Sequence, residues 1–237
     1  LKGILKSGEV EASDMIASAK SDKTREKIEK ELGIRKADTN AQVVDFADVV
    51  FLAVKPQFLE GVLDEIRDSV KAGQIFISIA PGKTLQWLGE RLGENTKVIR
   101  TMPNTPAMVG EGMTALCVNE LVTEEEIALA VKLCDTFGKT EVIPEHLMDA
   151  VVGVSGSSPA YVFMFLEAMA DAAVADGMPR AQAYKFAAQS VLGSAKLMLE
   201  TGKHPGELKD MVCSPAGTTI QAVRVLEEKG FRSAVIE

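Results

Sequence analysis

The chain has 237 residues, 46% apolar and 25% charged, enough to bury a core and too hydrophobic to stay disordered. Its net charge of −8 is spread over interspersed acids and bases, so no basic stripe exists to neutralise nucleic acid or a bilayer surface, and neither is an expected partner. Cys117, Cys134 and Cys213 lie far apart without a CxxC pair, which points to a reducing cytoplasm; neither an apolar run of about 20 residues nor a signal pattern stands out.

Leu1 to Ser7 begins in mid-pattern without a cap, and Gly8 follows as a C-terminal glycine would. It reads as the tail of a helix, so about 20 residues of strand, glycine-rich turn and helix are expected to precede it in the parent protein. Short apolar runs then alternate with helical patterns: Met15 to Ala19, Lys23 to Leu32, Val49 to Val54, Gln57 to Val70, Ile75 to Ala80, Leu85 to Leu92 and Val98 to Thr101. Such alternation predicts an α/β domain over residues 1–145, a doubly wound parallel sheet of the Rossmann type. Val49 to Val54 reads as a central strand by its length, although a buried helix has the same apolar pattern.

After Pro144 strand-like runs vanish and alanine-rich segments take over, predicting an all-α dimerisation domain over residues 146–237. Ser158-Pro159 and Ser214-Pro215 read as helix caps followed by proline at the first helical position, and Gly177 and Gly202 as stops. The helix from Ala160 carries Tyr161, Val162, Phe163, Met164, Phe165, Leu166, Ala168 and Met169 around most of its circumference. That predicts burial against a second copy; a central core helix is the alternative.

In an open parallel sheet, ligands sit beyond the carboxyl ends of the strands. The first such loop, Ser18-Ala19-Lys20-Ser21 with Arg25 a turn later, offers hydroxyls and cations where an NAD enzyme places an acid, which favours a 2′-phosphate and hence NADPH; a solvated turn is the alternative. The next two are Lys55-Pro56, which stops a strand and opens a helix, and Ala80-Pro81-Gly82, whose small residues admit a ligand close to the backbone. Further on, the amides of Ala216, Gly217 and Thr218, at a helix predicted to start at Pro215 and capped by Ser214, suit a carboxylate; a plain cap completed by the threonines is the alternative. His146 and His204 stand alone without metal-ligand spacing, so no metal is expected, and Trp87 and Tyr184 read as packing residues.

The segments Ala53-Val54-Lys55-Pro56, Met102-Pro103-Asn104-Thr105-Pro106, Gly153 to Tyr161, His204 to Asp210 and Val212 to Gly230 closely resemble the Δ1-pyrroline-5-carboxylate reductases, and the resemblance runs through essentially the whole chain. It implies reduction of the cyclic imine Δ1-pyrroline-5-carboxylate to L-proline with NADPH or NADH, by a homodimer that assembles further into a decamer. It also implies cofactor contacts from Ser18, Lys20, Asn40, Ala53, Val54, Lys55, Pro56, Ala80, Gly82, Asn104 and Thr105. Substrate contacts would come from Ser214, Ala216, Gly217, Thr218 and Thr219, with the Thr219 hydroxyl on the imine nitrogen as the catalytic group, ranked above Lys55 as a proton source. Ser158 and Ala216 stand where the family more often has glycine, and the family usually continues past Ile236-Glu237 by another helix. The added group costs little at negative φ and would strain a left-handed backbone, and Ser158 is a good cap, so both substitutions are expected to be tolerated. A β-hydroxyacid-type dehydrogenase is the nearest rival, but Lys185 and Lys196, the helix-interior lysines available to it, lie outside that group's motif. A noncatalytic oligomerisation or ligand-binding module is the rival from another class.

Overall fold

The computed structural model describes residues 1–237 and divides into two units, Leu1–Tyr161 and Val162–Glu237. In the first unit, α1 (Lys2–Ser7) is ended by Gly8 at φ 73°, in the left-handed region that glycine enters freely. There follow β1 (Ile16–Ala17), α2 (Asp22–Leu32), β2 (Arg35–Lys36), α3 (Asn40–Phe46), β3 (Val49–Leu52) and α4 (Pro56–Ile66). The order continues with β4 (Ile75–Ser78), α5 (Leu85–Leu92), β5 (Lys97–Met102), β6 (Gly112–Val118), α6 (Glu124–Asp135) and β7 (Gly138–Val142). Side chains fix where several helices begin: Ser21, Thr39, Thr84 and Thr123 each accept a backbone N–H of the first turn, and Glu126 closes a capping box with Thr123.

β1 pairs with β2 in a small parallel sheet, and the remaining strands form a five-stranded sheet in chain order, β3 to β7. Within it β3, β4 and β5 are parallel and β7 is parallel to β6, but β6 runs antiparallel to β5. The all-parallel expectation fails at that one step because only Pro103–Glu111 joins β5 to β6, shorter than the dozen or so residues a parallel crossover needs.

Alternation along the strands sends side chains to two buried faces. Val50, Leu52, Phe76 and Val98 pack on Leu59, Leu63 and Ile66 of α4 and Leu88 and Leu92 of α5. Ile75, Ile77, Ile99 and Leu116 pack on Ala130 of α6 and on Val122 before it. Each fully buried Leu or Ile contributes about 1.5–3 kcal/mol over its exposed state. A third cluster, Ile4, Met15, Ile34 and Leu133, has Ala17, Val49 and Phe51 against it and so ties α1, the small sheet, β3 and α6 together.

No strand follows Pro144. A 3₁₀ turn at Glu145–Leu147, α7 (Met148–Val151), a π-turn at Val152–Gly156 and α8 (Ser158–Ala175) form one helical path, Glu145–Ala175. Ser158 therefore lies inside a continuing helix and does not cap a new one as expected. By length and composition alone this path suffices to cross a membrane; Glu145, Asp149, Glu167 and Asp171 interrupt its apolar pattern, which is why no long apolar run stands out in the sequence.

The second unit holds α8 from Val162 onward, α9 (Arg180–Thr201), α10 (Pro205–Val212), α11 (Thr218–Glu228) and α12 (Phe231–Ile236). Gly177 and Gly202 act as the expected stops, both with positive φ. Only Ala170, Ala183 and Ala187 are buried in this unit, whereas Phe163, Met164, Phe186 and Leu199 are exposed, at 62%, 68%, 68% and 84%.

Candidate active site

β3 and β4 are parallel neighbours in register from Val49↔Ile75 to Leu52↔Ser78, so the loops beginning at Ala53 and Ile79 leave the sheet side by side. Lys55 occupies the cap position of α4 with Pro56 first in the helix, as expected, and no side chain bonds the amides of that turn. The Ala80–Gly82 loop has Ala80 buried, its N–H donating to Ser78 Oγ at 3.3 Å. Gly82 is left-handed at φ 71°, with open space where a Cβ would stand. Lys20 and Lys55 are exposed cations with no carboxylate partner.

The loop after β1 brings Ser18 and Asn40 together: Ser18 Oγ donates to Asn40 Oδ1 at 2.6 Å. Asn40, first residue of α3, donates its backbone N–H and its Nδ2 to the two carboxylate oxygens of Glu65, at 3.0 and 2.6 Å. Arg25, expected to face a phosphate, instead holds the turn, donating to the Ala19 carbonyl at 2.6 Å and pairing with Asp22. Lys20, 5.2 Å from the centre of the Phe58 ring, is left as the cation of this loop.

Asn104 Oδ1 accepts from the Met113 N–H at 2.9 Å, and its Nδ2 donates to the Ser155 carbonyl at 3.0 Å. Pro159 explains why that carbonyl is free, since it stands four residues on and has no N–H to return to it. The π-turn, closed by Ser157 N–H on the Val152 carbonyl at 2.8 Å, also makes room for the proline ring. Met102 Cε lies over Gly156, where a Cβ would come within 2.9 Å. Thr105 begins a short 3₁₀ turn in which Met108 and Val109 are exposed. Glu145 was not foreseen: one oxygen accepts both the first N–H of α5, Leu85, at 2.8 Å and Arg100 Nη1 at 2.9 Å.

In the second unit, α11 begins at Thr218 with Gly217 as its cap residue, one turn later than the expected start at Pro215. Cys213–Gly217 is a turn, in which the Gly217 N–H bonds the Ser214 carbonyl at 3.0 Å, so that amide is not free and Ser214 does not cap the helix. The free amides are those of Thr218, Thr219 and Ile220, since Gly217 has no side chain to satisfy them. A Cβ on Gly217 would crowd the Ser214 hydroxyl and come within 3.1 Å of the Ser214 carbonyl oxygen, so glycine fits this position and a larger residue would make Ser214 shift. Ala216 has φ 59°, the one non-glycine residue with positive φ. The expected condition for tolerance therefore holds at Ser158 and fails at Ala216, where the methyl costs about 1 kcal/mol.

Other residues take local roles. His204 Nδ1 accepts the Gly206 N–H at 3.1 Å and caps α10. Trp87 is flanked by Lys83 and Arg91, 4.1 and 3.9 Å from its ring centre, whereas Tyr184 is 43% exposed beneath Arg180 and is not the packing residue expected. Lys185 and Lys196 are exposed, the latter 3.6 Å from Glu200. Burial pushes the thiols of Cys117 and Cys134 up to about 11 and about 12.

Comparison with known proteins reports on both units. Residues 145–237 match the family model described as pyrroline-5-carboxylate reductase dimerisation, and residues 1–82 match that described as NADP oxidoreductase, coenzyme F420-dependent. The pyrroline-5-carboxylate reductase of Escherichia coli is 55% identical over 237 residues, all of this chain and 88% of the relative. That of Methanosarcina acetivorans is 44% identical over 99% of this chain and 87% of the relative. Among solved structures, a pyrroline-5-carboxylate reductase from Coxiella burnetii superposes with TM-score 0.92 at 32% identity, covering 99% of this chain and 89% of that one. The Plasmodium falciparum enzyme with NADP bound gives 0.88 at 28%, covering 99% and 86%. A prephenate dehydrogenase from Aquifex aeolicus, with TM-score 0.57 at 14% identity over 99% and 93%, shares the fold alone. Such identity along the whole length, on the fold its strands and helices build, shows that the chain belongs to the pyrroline-5-carboxylate reductase family.

Proposed function

We propose that this chain reduces Δ1-pyrroline-5-carboxylate to L-proline by hydride transfer from NAD(P)H, with NADPH as its preferred cofactor. The observation that carries the substrate assignment is the open first turn of α11. Its amides at Thr218, Thr219 and Ile220 have no capping side chain and sit at the positive end of the helix dipole, which suits the substrate carboxylate. Gly217 leaves the approach clear, and the Thr219 hydroxyl lies in the same turn to orient the imine nitrogen. A threonine hydroxyl is too weak an acid to lead, so the proton comes from water or from an imine already protonated, and positioning is what Thr219 contributes.

A dinucleotide fits the first unit: Gly82 keeps its loop free of side chain, the amides opening α4 lack a cap, and Lys20 and Lys55 are unpaired cations. When bound, the nicotinamide supplies the hydride. We assign Lys20 to a 2′-phosphate, Ser18 and Asn40 to the adenosine end, and the segments Ala53–Pro56 and Ala80–Gly82 to the remainder. Asn104 and Thr105 shape the nicotinamide end, Asn104 by fixing its loop, because its amide is engaged by protein at both ends.

The functional division we infer is a nucleotide-binding part over residues 1–145 and a helical part over 146–237, with dimers formed through α8 and assembled further into a decamer, in the cytoplasm that three free cysteines suit. Nicotinamide absorbance during turnover tests the reaction. Thr219→Ala is expected to lower kcat/KM at least about tenfold, or about 1.4 kcal/mol of transition-state stabilisation. No oxidation of NADPH or NADH by the full-length protein with this substrate overturns the reading.

A further inference from the structure

We propose that Glu65, which touches no ligand, is a positioning residue that sets the hydrogen-bonding polarity of the Ser18–Asn40 pair and thereby which groups of the cofactor this pair accepts. The proposal rests on the reading of Ser18 and Asn40 as cofactor residues. The two ends of an asparagine amide have nearly the same shape, and only their partners decide which way it faces. An ionised carboxylate can only accept. Glu65 takes the Asn40 backbone N–H with Oε1 and Nδ2 with Oε2, at 3.0 and 2.6 Å, so Nδ2 must face α4 and Oδ1 must face the loop after β1. Ser18 then turns its hydrogen inward to Oδ1 at 2.6 Å. What Ser18 Oγ and Asn40 Oδ1 keep for a ligand is lone pairs, while the second N–H of Nδ2 stays on the amide edge turned to Glu65. The pair is thus an acceptor surface suited to ribose hydroxyls or the adenine amine, and the phosphate, itself an acceptor, is left to Lys20.

Two features set Glu65 apart from an incidental surface contact. It stands in the last turn of α4, where a carboxylate opposes the helix dipole. Its oxygens lie instead at the N-terminal turn of α3, where an anion is favoured. It also reaches Asn40 across 25 positions of sequence with both oxygens used, so it fixes rotamer and backbone together. Because its side chain is at the surface, its substitution leaves the core intact.

The test measures steady-state kinetics of Glu65→Gln, Asn40→Ala, Asn40→Asp and the double variant Asn40→Asp/Glu65→Gln. A glutamine in place of Glu65 keeps one acceptor and turns a donor toward Asn40 Nδ2, and an aspartate in place of Asn40 sets two carboxylates against each other. Each single exchange is expected to raise KM for NADPH about tenfold while kcat and the KM for pyrroline-5-carboxylate stay within about twofold. In the double variant the introduced glutamine again accepts the backbone N–H that opens α3 and now donates to the introduced aspartate. KM for NADPH should then return to within about threefold of the starting value, a rescue that general loosening of α3 or α4 would not give. A normal KM in Glu65→Gln alongside a raised KM in Asn40→Ala overturns the positioning role and leaves Asn40 in the site. A normal KM in Asn40→Ala removes Asn40 from the cofactor site, and the proposal falls with it.

Discussion

Ala216 stands at φ 59° in the turn that precedes α11. Glycine would hold the same conformation without a Cβ clash, so Ala216→Gly is expected to raise stability by about 0.5–1 kcal/mol in urea denaturation, without a change in slope. Burial keeps two thiols neutral: Cys117, with the Glu145 charge adding to the effect, and Cys134. Iodoacetamide at pH 8 should therefore modify Cys213 alone in the folded protein and all three cysteines in denaturant, as intact mass will report. Residue types were readable ahead of the structure wherever backbone geometry dictates them, as at Gly8, Gly177 and Gly202. They were not readable at Ala216, since alanine carries no mark of a left-handed φ, nor at Glu65, one more exposed acid on a helix.

Among the elements, α4 and α6 show what the core and the caps each contribute. Leu63 of α4 is fully buried in the cluster that covers one face of the sheet, and Leu63→Ala should cost about 2–5 kcal/mol, readable as a lower urea midpoint. On α6, Lys97 and then the Thr123 N–H hold the Glu126 carboxyl below its ordinary range. A depressed carboxylate contributes stability that is fully present above its unfolded value of 4.5 and is lost as pH falls through the lower folded one. Glu126→Gln should accordingly flatten the acid limb of the stability profile and leave its shape at neutral pH unchanged. The strands β3, β4 and β5 and helices α2, α4 and α5 were legible because period and caps agree in each. β6 was missed because Gly112–Val118 follows a loop rather than a helix, and its reversed direction is set by that loop's length. The start of α11 was misplaced by one turn because Ser-Pro reads equally well as a cap or as a turn.

For the molecule as a whole, the second unit buries three alanines and exposes a face of aromatics and methionines on α8. An isolated helical unit of that kind has little to hold it, so folding and association should be linked. The thermal midpoint is expected to rise with protein concentration, and Phe163→Arg should give a smaller species in light scattering together with a lower, concentration-independent midpoint. The fold class and the apolar face of α8 could be anticipated from pattern alone. That Ser18 meets Asn40 and Asn104 meets Ser155 could not, because periodicity says nothing about which loops meet.

Pro159 cannot return a hydrogen bond to Ser155, and Asn104 fills the place it leaves, from 51 positions away. The proline ring is thus an instruction written on one element and obeyed on another. A protein engineer who replaced Pro159 with alanine to mend the helix would give the carbonyl a second suitor. The better the helix healed, the more loosely the Met102–Thr105 loop would be tethered, and a gain in local order on the helix would become a loss of order where β5 ends.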